Sequence, residues 1–237
     1  MANILLAIQG WDNPEGWLAR FRELAASRHR VRLWPDAGAL DEIDYACVWK
    51  QPHGLLATLP NLKAIFSLGA GVDHLFADPA LPEVPLVRIV DPDLTARMSE
   101  YVVLHCLMVL RQQRRYDFQQ RRREWNDDRL QPAAAQMRVG IMGMGELGQD
   151  AARKLSMMGF AVAGWSRSLK RSPHAEMYDG ADGLDAFLAR TDILVVLLPL
   201  TPQTRGIVNA SLIGRLAQDG PFGAPHLINA GRGGLQV

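Results

Sequence analysis

Apolar and polar positions along the chain follow a repeating order: short apolar runs alternate with longer amphipathic stretches. "NILLAI" (3–8) is apolar after its first residue and reads as a buried strand. "PEGWLARFRELAAS" (14–27) carries its apolar residues at helical spacing. "YACVW" (45–49), "AIFSLG" (64–69) and "PLVRIV" (85–90) predict three further strands. One unbroken helix is then predicted over 94–125, "LTARMSEYVVLHCLMVLRQQRRYDFQQRRREW", long enough to connect two domains. After the loop "DDRLQPAAAQ" (127–136) the alternation restarts. It predicts strand 138–143, helix 146–159, strand 161–166, helix 183–190, strand 193–199, helix 210–218 and strand 226–231. Strands alternating with helix-length segments specify βαβ units, hence an α/β fold with parallel sheets. One domain is placed at 1–98 and a second at 99–237.

Bulk properties narrow the function classes. The 237 residues are 48% hydrophobic and 22% charged, enough to bury a globular core. A net charge of +1 gives no reason to expect nucleic acid as a partner. The longest apolar stretch, 101–110, is shorter than the ~20 residues of a membrane span. "MANILLAIQG" lacks the basic start of a signal peptide and reads as a strand. Cys47 and Cys106 are far apart in apolar surroundings and read as buried free thiols. A soluble, cytoplasmic protein is expected, with no membrane partner and no metal. Arg121, Arg122 and Arg123 end the long helix as a solvated face or subunit contact rather than a phosphate patch.

The chemistry begins at "VGIMGMGELGQ". Gly143, Gly145 and Gly148 have the G-x-G-x-x-G spacing, after an apolar strand and at the start of a helix, the context the motif needs. The first glycine permits the tight turn, the second lets a pyrophosphate approach the backbone, and the third lets helix and strand pack closely. Met144, Glu146 and Leu147 complete the turn, whose helix N-terminus offers N–H groups to an anion. The next strand ends in "GWSRSLKR". Ser166 stands where NAD-binding folds carry an acid for the ribose hydroxyl, and Arg167 follows. No Asp or Glu occurs over 151–175, while Lys170 and Arg171 are near. A guanidinium binds a 2′-phosphate that a carboxylate would repel, so NADP(H) is expected over NAD(H).

Taken together, "SLGAGVDHL" (67–75), "MSEYVVLHCL" (98–107), "VGIMGMGELG" (139–148), "GWSRS" (164–168), "LLPLTPQTRGIVN" (197–209) and "NAGRG" (229–233) resemble the D-isomer-specific 2-hydroxyacid dehydrogenases. Within that family the likeness is strongest to the glyoxylate/hydroxypyruvate reductase A type. The resemblance implies two Rossmann-like domains, a flavodoxin-like substrate domain and an NAD(P)-binding doubly wound sheet, with the active site in the cleft between them. It also implies reduction of a small 2-keto acid to the D-2-hydroxy acid by a homodimer. Ala70, Gly71 and Val72 would offer backbone N–H groups to the substrate carboxylate. Trp49 and Lys50 would cap and attract a small acid, although a tryptophan at a strand end is as often packing. Leu198, Pro199 and Thr204 would lie along the cofactor, with Ala230 and Gly231 beside it. Arg232 would bind the carboxylate and keto oxygen, and would stabilise charge growing on that oxygen.

Reduction of a ketone also needs a proton donor. The family uses a histidine oriented by a glutamate, both from a segment after the "NAGRG" turn. None of His29, His53, His74, His105, His174 and His226 stands in that position. The sequence is therefore expected to be a fragment of a longer polypeptide, its own activity open. A nucleotide-binding regulator of corepressor type on the same fold is the alternative.

Overall fold

Five short strands join as one parallel sheet in the first unit, Met1–Asp91, of the computed structural model, which describes residues 1–237. They are β1 (Ala2–Ile8), β2 (His29–Leu33), β3 (Tyr45–Trp49), β4 (Ala64–Ser67) and β5 (Leu86–Arg88). The order β2-β1-β3-β4-β5 is the flavodoxin-like one, with its reversal between β1 and β3. Alternation along the strands builds a core on each face. Leu5 and Ala7 lie with Ala46, Val48 and Ile65 on one side, under Leu55, Leu56 and Leu75. Leu6 faces the other way, against Val31 and Leu18 of α1 (Pro14–Ala25). That helix starts at Pro14, and the Asn13 side chain accepts from the Gly16 N–H at 3.0 Å. A single turn, α2 (Asp73–Phe76), follows β4.

The second unit, Pro92–Val237, opens with α3 (Pro92–Leu110) and α4 (Gln113–Arg122). Then come β6 (Arg138–Met142), α5 (Glu146–Met157), β7 (Ala161–Ser166), β8 (Glu176–Asp179) and α6 (Asp182–Ala189). The unit closes with β9 (Ile193–Val196), α7 (Ala210–Ile213) and β10 (His226–Asn229). Its parallel sheet has the order β10-β9-β6-β7-β8, the Rossmann arrangement with β6 central. Val139, Ile141, Ile193 and Val195 face α3 and α5 through Val102, Cys106, Leu110, Ala151 and Leu155. Met142, Leu194 and Val196 face the opposite core of Phe187, Leu188, Leu212 and Leu235. No helix is long and apolar enough to cross a membrane. Both cysteines are free thiols, and burial pushes Cys106 up to about 12 and the partly buried Cys47 up to about 11.

The structure corrects the sequence reading in four places. The helix expected over 94–125 is two helices, because Gln112 sits in the left-handed region at φ 49. Its carbonyl accepts from the Arg115 and Tyr116 N–H groups in the first turn of α4, and its side-chain amide donates to Asp128 at 2.7 Å. Beyond Leu110 no residue of α4 is buried, so packing gives no reason to continue straight. The helix expected over 210–218 stops at Ile213, before Gly214. Strands β2 and β8 were not anticipated. Both are edge strands: β2 buries only Val31, and β8 buries none of its four residues fully.

A polar tie fixes α3 to α5. Ser99, 1% exposed, donates to Asp150 at 2.7 Å, and Lys154 and Arg153 reach the same carboxylate at 2.9 and 2.8 Å. Burial disfavours the Asp150 charge, but these three donors outweigh it and lower its pKa to about 2. Because the folded value lies below the unfolded one, the stabilisation is complete above pH ~4 and is lost as pH falls toward 2. Asp150→Asn should therefore lower stability at pH 7 and flatten the acid limb between pH 4 and 2, read by urea unfolding at each pH. An unchanged acid limb would remove Asp150 from this role.

Candidate functional site

Three loops meet at the carboxyl edge of the second sheet. The first is the glycine turn after β6. Gly143 has φ 113, and a Cβ there would stand 2.8 Å from the Leu197 carbonyl oxygen of the loop after β9. At Gly148 a Cβ would stand 2.2 Å from the Gly143 carbonyl oxygen, so only glycine lets α5 approach β6 this closely. Gly145 differs: a Cβ there meets nothing within 4 Å. The Met144 and Gly145 N–H groups have no acceptor in the protein. Glu146 and Leu147 open α5, where N–H groups lack intrahelical partners, and no side chain caps the helix. The arrangement is an open cradle of donors at a helix N-terminus, suited to a pyrophosphate.

The second loop follows β7 and carries the basic residues. Ser166 is buried and its hydroxyl donates to the Ser168 carbonyl at 2.8 Å. Lys170 donates from Nζ to the Met144 carbonyl at 2.8 Å. The Gln149 side chain of α5 donates to the Arg171 carbonyl at 3.3 Å. Arg167 is exposed and forms no ion pair. One acid stands close by that the sequence reading missed: Asp179 pairs in register with Ser166 from β8. It lies just past the 151–175 window, on the strand the apolar pattern did not reveal.

The third loop region joins the ends of β9 and β10. Leu198 is buried. The Thr204 hydroxyl accepts from the Thr201 N–H at 2.8 Å and donates to the Pro199 carbonyl at 2.7 Å, so it staples its own loop. The Ala230 N–H extends the ladder to the Val196 carbonyl at 3.0 Å. A Cβ on Gly231 would stand 2.9 Å from the Leu198 carbonyl oxygen, so these turns touch through bare backbone. Arg232 is exposed and extended, and its carbonyl accepts from Asn229 Nδ2 at 3.1 Å. Behind it buried Leu235 anchors the tail, and Val208 donates to the Leu235 carbonyl at 2.9 Å. His226 lies at the amino end of β10, the opposite edge of the sheet from Arg232. Burial lowers its pKa, outweighing the nearby Asp192 charge, and its ring packs on Phe222.

In the first unit the residues after β4 form a second donor set. Ala70, Gly71 and Val72 precede α2, and none of their three N–H groups has an acceptor in the protein. Trp49 ends β3 and lies against Gly69, where a Cβ would stand 1.9 Å from the indole. It belongs to an aromatic group with Trp11, at 6.0 Å, and His74, at 5.0 Å; Trp17 is 4.7 Å from Trp11. Sequence reading did not find Trp11 or Trp17, whose loop and helix positions carry no motif. Lys50 has φ 49 and places Nζ 5.8 Å from the Trp49 ring.

Comparison with known proteins gives a consistent family. Residues 103–237 match the model of the D-isomer specific 2-hydroxyacid dehydrogenase NAD binding domain. A glyoxylate/hydroxypyruvate reductase A of Serratia proteamaculans is 38% identical over 228 residues, 93% of this chain and 70% of that protein. An NADPH-dependent glyoxylate/hydroxypyruvate reductase of Sinorhizobium meliloti, solved with NADP and sulfate, is 51% identical with a TM-score of 0.89. A probable 2-hydroxyacid dehydrogenase of Rhizobium etli, solved with NADP, HEPES and L(+)-tartaric acid, is 47% identical with a TM-score of 0.90. Each of these two matches covers 100% of this chain and 75% of the solved one.

Proposed function

Since the chain belongs to the D-isomer specific 2-hydroxyacid dehydrogenase family, we propose that it reduces a small 2-keto acid, glyoxylate or hydroxypyruvate, to the D-2-hydroxy acid with NADPH. One observation carries the cofactor half of this reading: an open glycine cradle with a basic loop pinned beside it. A dinucleotide fits there, because Gly145 leaves space and the Met144 and Gly145 N–H groups need an anion. Bound in this cradle, NADPH supplies the hydride.

The binding and charge-stabilising roles fall to the chain, while the proton that the keto oxygen takes up needs a donor beyond the residues named here. Gly143 to Gly148, with Met144, Glu146 and Leu147, hold the pyrophosphate. Arg167 and Ser166 take the 2′-phosphate, with Lys170 at the base of their loop. Leu198, Pro199, Thr204, Ala230 and Gly231 line the cofactor with backbone and apolar surface. The Ala70, Gly71 and Val72 N–H groups hold a carboxylate. Trp49 and Lys50 restrict and attract a small acid. The Arg232 guanidinium stays charged at any working pH and stabilises the negative charge that grows on the keto oxygen. The reading extends to a homodimer, supported by apolar side chains left exposed at Leu104, Phe118 and Trp125. A cytoplasmic location suits the two free thiols.

The test is fluorescence titration of the chain with NADPH and with NADH, followed by NADPH oxidation with hydroxypyruvate and glyoxylate. Tighter NADPH binding is expected, reversing toward NADH in Arg167→Asp, where the new carboxylate repels the phosphate. Equal Kd values for the two cofactors would sink the NADPH assignment.

A further inference from the structure

The loop 167–172 has no strand or helix of its own, yet it carries the charge that the proposed NADP preference depends on. Two side-chain bonds define where it lies. Lys170 Nζ donates to the Met144 carbonyl at 2.8 Å, across 26 residues. Gln149 Nε2 donates to the Arg171 carbonyl at 3.3 Å, across 22 residues. Both anchors belong to the glycine turn and the first turn of α5 that follows it. Met144 is itself packed into the core: its side chain is 1% exposed, and a Cβ on Gly164 of β7 would stand 2.6 Å from its Cγ. At the loop's start the Ser166 hydroxyl closes a short turn onto the Ser168 carbonyl. Between these fixed points Arg167 projects, exposed and without an ion pair.

We propose that Lys170 and Gln149 are positioning residues that clamp the 167–172 loop onto the glycine turn, so that cofactor preference is set by where they hold Arg167 rather than by their own contact with phosphate. The proposal rests on the reading of the cradle as an NADP site. Physically, a guanidinium on a tethered loop has already lost the conformational freedom that a loose one would lose on binding. Its bidentate bond to a phosphate also needs a fixed approach direction. The Gln149 amide, drawn to a main-chain carbonyl and set on a helix, has no part in holding phosphate. A change there reports only the clamp.

A double-mutant cycle tests this. Kd values for NADPH and NADH are measured by fluorescence titration for the chain, Gln149→Met, Lys170→Met, Arg167→Ala and the two pairs with Arg167→Ala. Thermal unfolding midpoints are read alongside. Methionine keeps the length of each side chain and removes the donor. Loss of one such bond is expected to weaken NADPH binding about fivefold in Gln149→Met, while NADH stays within about twofold. In the Arg167→Ala background, neither methionine should shift NADPH binding further, because the group they position is gone. Additive effects would overturn the clamp and make Lys170 a direct phosphate ligand. Equal weakening of both cofactors with a lowered midpoint would overturn it in favour of a purely structural role. If the unaltered chain shows no preference for NADPH, the underlying NADP reading fails together with the clamp; a preserved preference with additive variants defeats the clamp alone.

Discussion

Gly148→Ala is expected to lower stability by about 3 kcal/mol and to abolish dinucleotide binding. The reason is geometric. The added Cβ would stand 2.2 Å from the Gly143 carbonyl oxygen and 3.5 Å from the Ile141 side chain. The first contact is with main chain, which cannot swing aside as a side-chain tip does. Overpacking in a tight core costs about 1–3 kcal/mol, and a backbone obstacle puts this case at the upper end. To relieve it, α5 must move off β6, which carries the Glu146 and Leu147 N–H groups away from the turn. Gly145→Ala is the control. Its Cβ meets nothing within 4 Å and its backbone is extended, so it should cost about 1 kcal/mol or less as a poorer N-cap. It should still weaken NADPH binding, since the methyl would stand where a pyrophosphate approaches. Urea unfolding separates the two variants. If both cost the same, Gly148 is not held to glycine by helix–strand contact.

The second large effect is expected far from the cradle. Asp192→Ala should destabilise the chain by about 3 kcal/mol or more. Asp192 is 3% exposed and immediately precedes β9, at the amino edge of the second sheet. Its Oδ2 accepts from the Arg138 N–H at 2.8 Å and from Arg138 Nε at 3.0 Å; Oδ1 accepts from the guanidinium at 2.7 Å. These bonds, with Asp219, hold the Arg138 proton more tightly than usual. A Cβ on Gly220 would stand 2.3 Å from Asp192 Oδ1, so the 217–225 loop also packs on the carboxylate. Deleting the carboxylate strands a main-chain N–H and a partly buried guanidinium together. Asp219 makes the useful contrast. It bonds the same guanidinium at 2.6 Å but is 78% exposed, so Asp219→Ala should cost far less than Asp192→Ala. Equal losses in the two variants would mean that burial of Asp192 is not the source of the effect.

Neither Asp192 nor the Gln149 and Lys170 bonds could be read from the chain. Each joins residues more than twenty positions apart through one polar atom, and no local pattern marks such a pair. The glycine turn was legible because its three positions answer to local constraints: a positive φ at Gly143, open space at Gly145, close packing at Gly148. The "NAGRG" turn was legible as a segment, but that Gly231 packs against the Leu198 carbonyl emerges only when β9 and β10 pair. Thr204 shows the limit from another side. The resemblance placed it along the cofactor, but nothing local showed that its hydroxyl also bonds Pro199 and Thr201 within its own loop.

The sequence by itself determined the α/β class, the alternation of strand and helix, and the place of the dinucleotide turn. Central parallel strands are buried on both faces and so must be continuous apolar runs, which stand out in any chain. Tertiary structure alone decided the edge strands β2 and β8, the break at Gln112, and the pinning of the basic loop. An edge strand buries too little to leave a periodic signal. The helix ends where there is no more core to cover, and the loop lies where distant donors find carbonyls. Those outcomes depend on packing between segments that the linear order keeps apart.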